Sequence, residues 1–192
     1  MIEKGVNAYR SNIRAGVRGL WGGSMNYIEF YDQMMLAIEK GFREAWEEGA
    51  AEGCIRPEDF TTSETNRLYA EINKQFAYVD GFATAIEEGS KANGGMLAPL
   101  MYRADMWINE YSRIKTLAKA LALKDKKHRW TLNPAEHCGS CLKLSGQVCR
   151  MSFWLTHVMP KQWDKLDCKN ACKCTLESTT DACTRGPLPG LP

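Results

Sequence analysis

The soft metal ligands of this chain are concentrated in one place, and that limits what the chain can fold into. Of its 8 cysteines and 3 histidines, six cysteines and every histidine lie between His128 and Leu176. Cys138 and Cys141 form a C-x-x-C knuckle. Cys172 and Cys174 form a C-x-C, with Cys168 four residues ahead and Cys149 between the two clusters. Two such clusters about 30 residues apart suit a structural zinc site, because Zn²⁺ takes four tetrahedral ligands and a short turn aims two thiolates at one ion. The candidate ligands are Cys138, Cys141, Cys172 and Cys174, with Cys168 as a substitute for one of the closing ligands. Disulfides are the alternative, since an even cysteine count in a dense segment is also their signature. Unligated thiols are the third reading. A redox C-x-x-C fits poorly, because that motif opens a helix in a βαβ unit, whereas Pro134 and Gly139 place this one in a loop. His137 is a weaker ligand candidate, being adjacent to Cys138 in the chain.

A length of 192 residues suffices for one good-sized domain, or for a helical domain with a small appendage. Hydrophobic residues make up 44% and charged residues 25%, and the net charge of +2 gives no strong bias toward nucleic acid or acidic lipid. No apolar run approaches the roughly 18 residues of a membrane span. The opening MIEKGVNAYRSNIR lacks the apolar core of a signal peptide. A chain that is not secreted favours metal over disulfides.

Four stretches have helical periodicity. Val6, Tyr9, Ile13, Val17 and Leu20 form one stripe, with Arg10, Arg14 and Arg18 four apart on another face. Ser24 is placed to cap a second helix from Met25 to Gly49, with Ile28, Tyr31, Met35, Ile38, Phe42 and Ala45 as its core face. Cys54 reads as a small buried hydrophobe. Thr61 and Glu64 form a capping box opening a third helix to Gly89, with Leu68, Ile72, Phe76, Val79, Ala83 and Ile86 inward. Pro99 suits the first turn of a fourth helix reaching Lys124, whose stripe is Ala104, Trp107, Ile108, Tyr111, Ile114, Ala118 and Leu121. GFREAWEEG at 41–49 and GFATAIEEG at 81–89 echo each other, and a close helix crossing would justify both internal glycines.

Beyond Lys124 the period changes. A basic run, Lys124, Lys126, Lys127, His128 and Arg129, reads as charge at a helix end or as a phosphate-contacting patch. Trp130–Leu132, Leu142–Leu144 and Met151–His157 alternate like short strands, and Pro160 opens a helical turn holding Trp163. About 50 residues of short elements need a staple. The fold class expected is α+β, mainly α: about four helices over residues 1–127, a small Cys-rich β/knuckle module over 128–176, and an extended tail over 177–192. No nucleophile–base pair, metalloprotease motif or phosphate loop is present in the sequence. No enzymatic activity and no small-molecule substrate are expected.

The Cys-rich segment resembles the C-terminal module of the phage Mu F-like head morphogenesis proteins, also called minor capsid proteins. That family shows a Trp, a polar turn, C-x-x-C and Leu-x-Gly, and closes on P-x-H-P-x-C-R-C with a short apolar run. Trp130, Cys138 and Cys141, Leu144 and Gly146, and Cys172-Lys173-Cys174 before Thr175-Leu176 stand in those places. The closing box departs from the pattern: Lys169 stands where the family has a His, with Cys168 beside it. The resemblance implies a structural virion protein associated with the portal and with capsid or scaffolding proteins. It would be made in the host cytoplasm and held in the capsid interior, with an added role in DNA ejection. The alternative is a zinc-ribbon-like nucleic-acid-binding protein that uses the basic run on DNA.

Overall fold

The computed structural model describes residues 2–162, 165–168 and 172–191. The turn expected around Trp163, and Lys169, lie outside the described residues. The protein is mainly helical, with a small antiparallel sheet and a Cys-rich C-terminal region, and it divides into two compact units, residues 1–122 and 123–192.

The helical unit holds α1 (Ile2–Gly22), α2 (Tyr27–Glu52), a 3-10 turn (Pro57–Asp59), α3 (Thr62–Glu88) and α4 (Leu97–Ala122). Thr61 caps α3 as its capping box predicts: Glu64 N–H donates to Thr61 Oγ1, and Thr61 N–H donates to the Glu64 carboxylate. The cap of α2 is Asn26 rather than Ser24. Asn26 Oδ1 accepts from Glu29 N at 3.0 Å while Glu29 returns the bond at 2.9 Å, so Asn26 has a box partner three residues on. Ser24 instead donates to Gly19 O in the turn.

The expected stripes of α1 and α4 are largely the buried ones, and all seven α4 positions are buried. Helix α2 departs from its expected stripe because it packs against α1, α3 and α4 together. Phe30, Met34, Ala37 and Trp46 are buried along with Ile38, Phe42 and Ala45, whereas Ile28 is 69% exposed. The glycine echo is half structural. A side chain at Gly41 would collide with the Tyr9 ring, a close α1–α2 approach, while the space around Gly81 is open. Cys54 is exposed in a left-handed conformation (φ 62°) after α2 and is not part of the core.

Helix α4 stops at Ala122, so Lys124 follows its C-terminus while Lys127, His128 and Arg129 lie in a strand. In the cysteine-rich unit β1 (Lys127–Thr131) lies between β2 (Val148–Arg150) and β3 (Thr175–Ser178), antiparallel to both. Two segments expected as strands are helices: Leu142–Leu144 belongs to α5 (Gly139–Leu144), and Met151–His157 forms α6. Met151 and Trp154 are both buried, three residues apart, a spacing that puts both on one face of a short helix and on opposite faces of a strand. Trp130 and Trp154 are fully buried with ring centroids 5.6 Å apart, and Trp154 Nε1 donates to His128 O at 3.0 Å. Leu144, Val148, Met151, Val158 and Leu166 complete this small core.

The described residues beyond Ser178, 179–191, have no regular structure, yet they are bound to their own unit. Thr179 N donates to Lys127 O, Thr184 N donates to Val148 O at 2.8 Å, and Val148 N donates to Thr184 Oγ1 at 3.0 Å. Lys143 Nζ reaches Gly190 O. Among the described residues no helix is long and apolar enough to cross a membrane.

Candidate metal centre

Three segments bring sulfur to one point. The first is the start of α5, where Cys138 is the N-cap and Cys141 lies in the first turn. The C-x-x-C therefore does open a helix, though a 6-residue one in an antiparallel setting and not in a βαβ unit. The second segment carries Cys168 and the third carries Cys172 and Cys174 just ahead of β3. Cys141 is at the centre: its Sγ lies 3.6 Å from that of Cys168 and 3.5 Å from that of Cys172.

The donors fall into two groups, Cys138, Cys141 and Cys168, and Cys141, Cys172 and Cys174. Within each group the sulfurs lie within 4.8 Å of one another. Sulfur pairs at one tetrahedral zinc with 2.3 Å bonds are about 3.8 Å apart, and a disulfide is about 2.05 Å long. No cysteine is disulfide-bonded among the described residues. The cluster can hold a metal ion. Cys141, Cys172 and Cys174 are 1–3% exposed, so a bound ion would be shielded from solvent. Cys149 and Cys183 lie outside both groups.

The framework that holds the sulfurs includes residues that their spacing does not reveal. Asp167 Oδ2 accepts from Ser140 N at 2.9 Å and from Ser140 Oγ at 2.6 Å, and Asp167 N donates to Ser140 Oγ at 3.1 Å. These bonds tie the Cys168 segment to the C-x-x-C turn. The Ser140 hydroxyl and amide hold the Asp167 carboxyl below its usual range. Asn133 Nδ2 donates to Lys173 O at 2.6 Å, tying the loop ahead of the knuckle to the C-x-C.

His137 faces the second group. Its Nε2 lies 2.7 Å from Asn133 O, and its Nδ1 lies 3.6 Å from Cys174 Sγ. A carbonyl only accepts, so Nε2 donates to it, and in the neutral ring Nδ1 then presents a lone pair toward Cys174, the arrangement of a metal-ligating imidazole. The other two histidines are elsewhere: His128 Nε2 lies 3.1 Å from Ser178 Oγ, and His157 Nδ1 lies 2.9 Å from Phe153 O.

Electrostatics show how the cluster stands without an ion. Burial, followed by the surrounding thiols, pushes the Cys141 thiol far up, and burial raises Cys168 to about 12. Burial acts against Cys138 and Cys172 too. There, backbone hydrogen bonds from Cys141 to Cys138, and from Lys161 and Cys174 to Cys172, prevail and bring both thiols below their usual value. Burial raises Cys174, opposed by Cys141 and the Trp130 indole. Trp130 Nε1 is buried and without an ordinary hydrogen-bond partner. The donor set therefore fits a thiophilic cation whose charge would offset several buried thiolates.

The two basic surfaces singled out by the sequence are partly occupied within the protein. Arg14 holds Asp105 at 2.6 Å, and Arg10 donates to Asn7. In the basic run Lys127 Nζ donates to Thr180 O and Asp181 O, Arg129 pairs with Asp181, and His128 is buried. No protein-family model matches the chain, and neither a curated protein nor a solved structure is similar to it.

Proposed function

We propose that this chain is a non-enzymatic structural protein of a phage head, a portal-associated minor capsid protein of the Mu F-like kind, whose C-terminal unit is stapled by zinc. The observation that carries the reading is the convergence of Cys138, Cys141, Cys168, Cys172 and Cys174 from three segments, in the stretch whose Trp, C-x-x-C, Leu-x-Gly and C-x-C order resembles that family. Zinc is favoured because thiolate-rich, tetrahedral donor sets select it over hard divalent cations. A cysteine-dominated set without carboxylates belongs to closed structural sites, not to catalytic ones with an open position. The ion's work here is to replace apolar area that a unit this small lacks.

On this reading the protein is made in the host cytoplasm and enters the capsid interior with portal, capsid and scaffolding partners. The nucleic-acid reading is weaker on this surface, because Lys127 and Arg129 are committed to the chain segment at Thr180 and Asp181. Co-expression with portal and major capsid proteins tests the choice. Co-sedimentation with assembled heads is expected. Retention on DNA that falls with salt at a log–log slope of about −0.9 per phosphate contacted, without head association, would replace this reading by the other.

A further inference from the structure

One tetrahedral zinc accepts four ligands, yet five cysteine sulfurs and the Nδ1 of His137 gather here. The surplus is arranged, not scattered. Cys138 and Cys168 accompany Cys141 in one group, and Cys172 and Cys174 accompany it in the other, so Cys141 is the member the two groups share. Cys172 stands next to that shared member, its sulfur 3.5 Å from that of Cys141. At the far end, Cys174 meets His137 at 3.6 Å.

We infer that the centre is binuclear, with Cys138, Cys168, Cys141 and Cys172 holding one divalent ion and His137, Cys174, Cys141 and Cys172 holding a second, Cys141 and Cys172 being shared. This rests on the zinc-staple reading above and extends it. Two tetrahedral ions offer eight coordination positions. Five thiolates and one imidazole fill them when two thiolates each serve twice. The charges also balance better: four thiolates about a single divalent ion, with the fifth cysteine a neutral thiol, leave two uncompensated negative charges in a largely buried site, whereas five thiolates about two ions leave one. Adjacency of His137 and Cys138 is awkward at a single ion but suits two, since neighbouring side chains then point to different metals. The Asn133 carbonyl that fixes the His137 tautomer and the Asn133 amide bonded to Lys173 O prepare the second half of the site.

The experiment is the metal-to-chain ratio of the full-length protein, purified with reductant and without chelators, by elemental analysis and native mass spectrometry. Two zinc per chain is the expected result. A ratio of one overturns the binuclear centre and leaves the single-zinc staple standing; a ratio of zero with the cysteine-rich unit still folded overturns both. His137→Ala should lower the ratio from two to one while the β1 and β2 amides stay protected from exchange, and a ratio still at two removes His137 from the site. Cys149→Ser, at a position outside both groups, should keep two. Replacement by Co²⁺ gives a second readout, because ions joined through shared thiolates couple magnetically. Two uncoupled Co²⁺ per chain would overturn the sharing at Cys141 and Cys172.

Discussion

In the helical unit, helices of 21 to 27 residues close around a core of Tyr9, Ile13, Phe30, Phe42, Phe82, Tyr111 and Ile114. In the cysteine-rich unit the helices have 6 and 7 residues and the strands 3 to 5. Helices shorter than about 12 residues do not persist alone, and the apolar centre of that unit is little more than Trp130, Trp154 and the residues touching them. The first unit is specified by repeated small contributions along each helix, so no single group decides its existence. The second is specified by a few sulfurs from distant segments. The two should therefore fail for different reasons and independently of each other.

If the cluster holds zinc as proposed, the largest effect expected comes from removing it. Structural zinc contributes on the order of 10 kcal/mol to small zinc modules, more than a unit of this size holds in reserve. A strong chelator should abolish exchange protection of the amides in β1 and β2 and leave α2 and α4 protected, as hydrogen-exchange mass spectrometry of the whole chain would show. Acid should act in the same direction, because the ligands bind as thiolates and protons compete for them. Metal loss should begin on the acid side of neutrality, ahead of unfolding of the helices. Equal loss of protection in both units would break the comparison, as would a chelated cysteine-rich unit that stays folded.

The converse perturbation uses the glycines of α2 and α3. A methyl group at Gly49 would run into the Lys115 carbonyl and lie 2.7 Å from the Ala118 methyl, where α2 and α4 meet. Backbone cannot move aside cheaply, so Gly49→Ala should destabilise the helical unit by about 1–3 kcal/mol despite the better helix propensity of Ala. Gly81→Ala has open space and should stabilise by about 0.5–1 kcal/mol. Urea unfolding followed by exchange of the helical amides measures both. Metal content should be unchanged in each variant, and an altered metal ratio in Gly49→Ala would show that the two units are not independent.

A smaller effect is expected in the segment after β3. Thr184→Val keeps the backbone bond to Val148 O but removes the Oγ1 that accepts from Val148 N. A loss of about 1 kcal/mol, confined to exchange in β2, is expected. No loss would mean that the segment rests on the sheet without supporting it.

The same division decides what was legible beforehand. The α4 stripe and the Thr61–Glu64 box could be read directly, because each is a local spacing that the tertiary structure only had to respect. Asn26 could also have been read, since Asn-x-x-Glu is as good a box as Ser or Thr would make, and the pattern stands at 26–29. Helix α2 was misjudged at Ile28 and Met35 because a helix with neighbours on three sides has no single stripe. Helices α5 and α6 were read as strands because 6 or 7 residues hold too few apolar positions to tell one period from the other. The five cysteines of the centre were visible from their spacing. The central place of Cys141, the direction of His137 and the Ser140–Asp167 tie were not, because each depends on segments some 27 to 37 residues apart meeting in space.

The smallest effect sharpens the comparison from the helical side, where charge should matter little. Lys115 Nζ joins Glu48 at 3.2 Å and Glu52 at 2.8 Å, and Lys119 reaches Glu52 at 3.1 Å, linking α2 to α4 beside Gly49. Hydrogen bonding from Lys115, with Lys119 assisting, holds the Glu52 carboxyl below its usual value despite partial burial. A carboxyl whose folded value is depressed adds stability above its unfolded value, and that contribution is lost as pH falls through the folded value. Glu52→Gln should therefore cost the helical unit about 0.2–1 kcal/mol at neutral pH, the range of partly exposed ion pairs. The gap between variant and wild type should close in strong acid, once pH has fallen through the depressed folded value and Glu52 is itself neutral. Urea unfolding of both proteins at the two pH values, read through the helical amides, measures it. A loss of several kcal/mol, or a gap that persists in acid, would mean that the α2–α4 contact depends on this charge cluster and not on the apolar stripes beneath it.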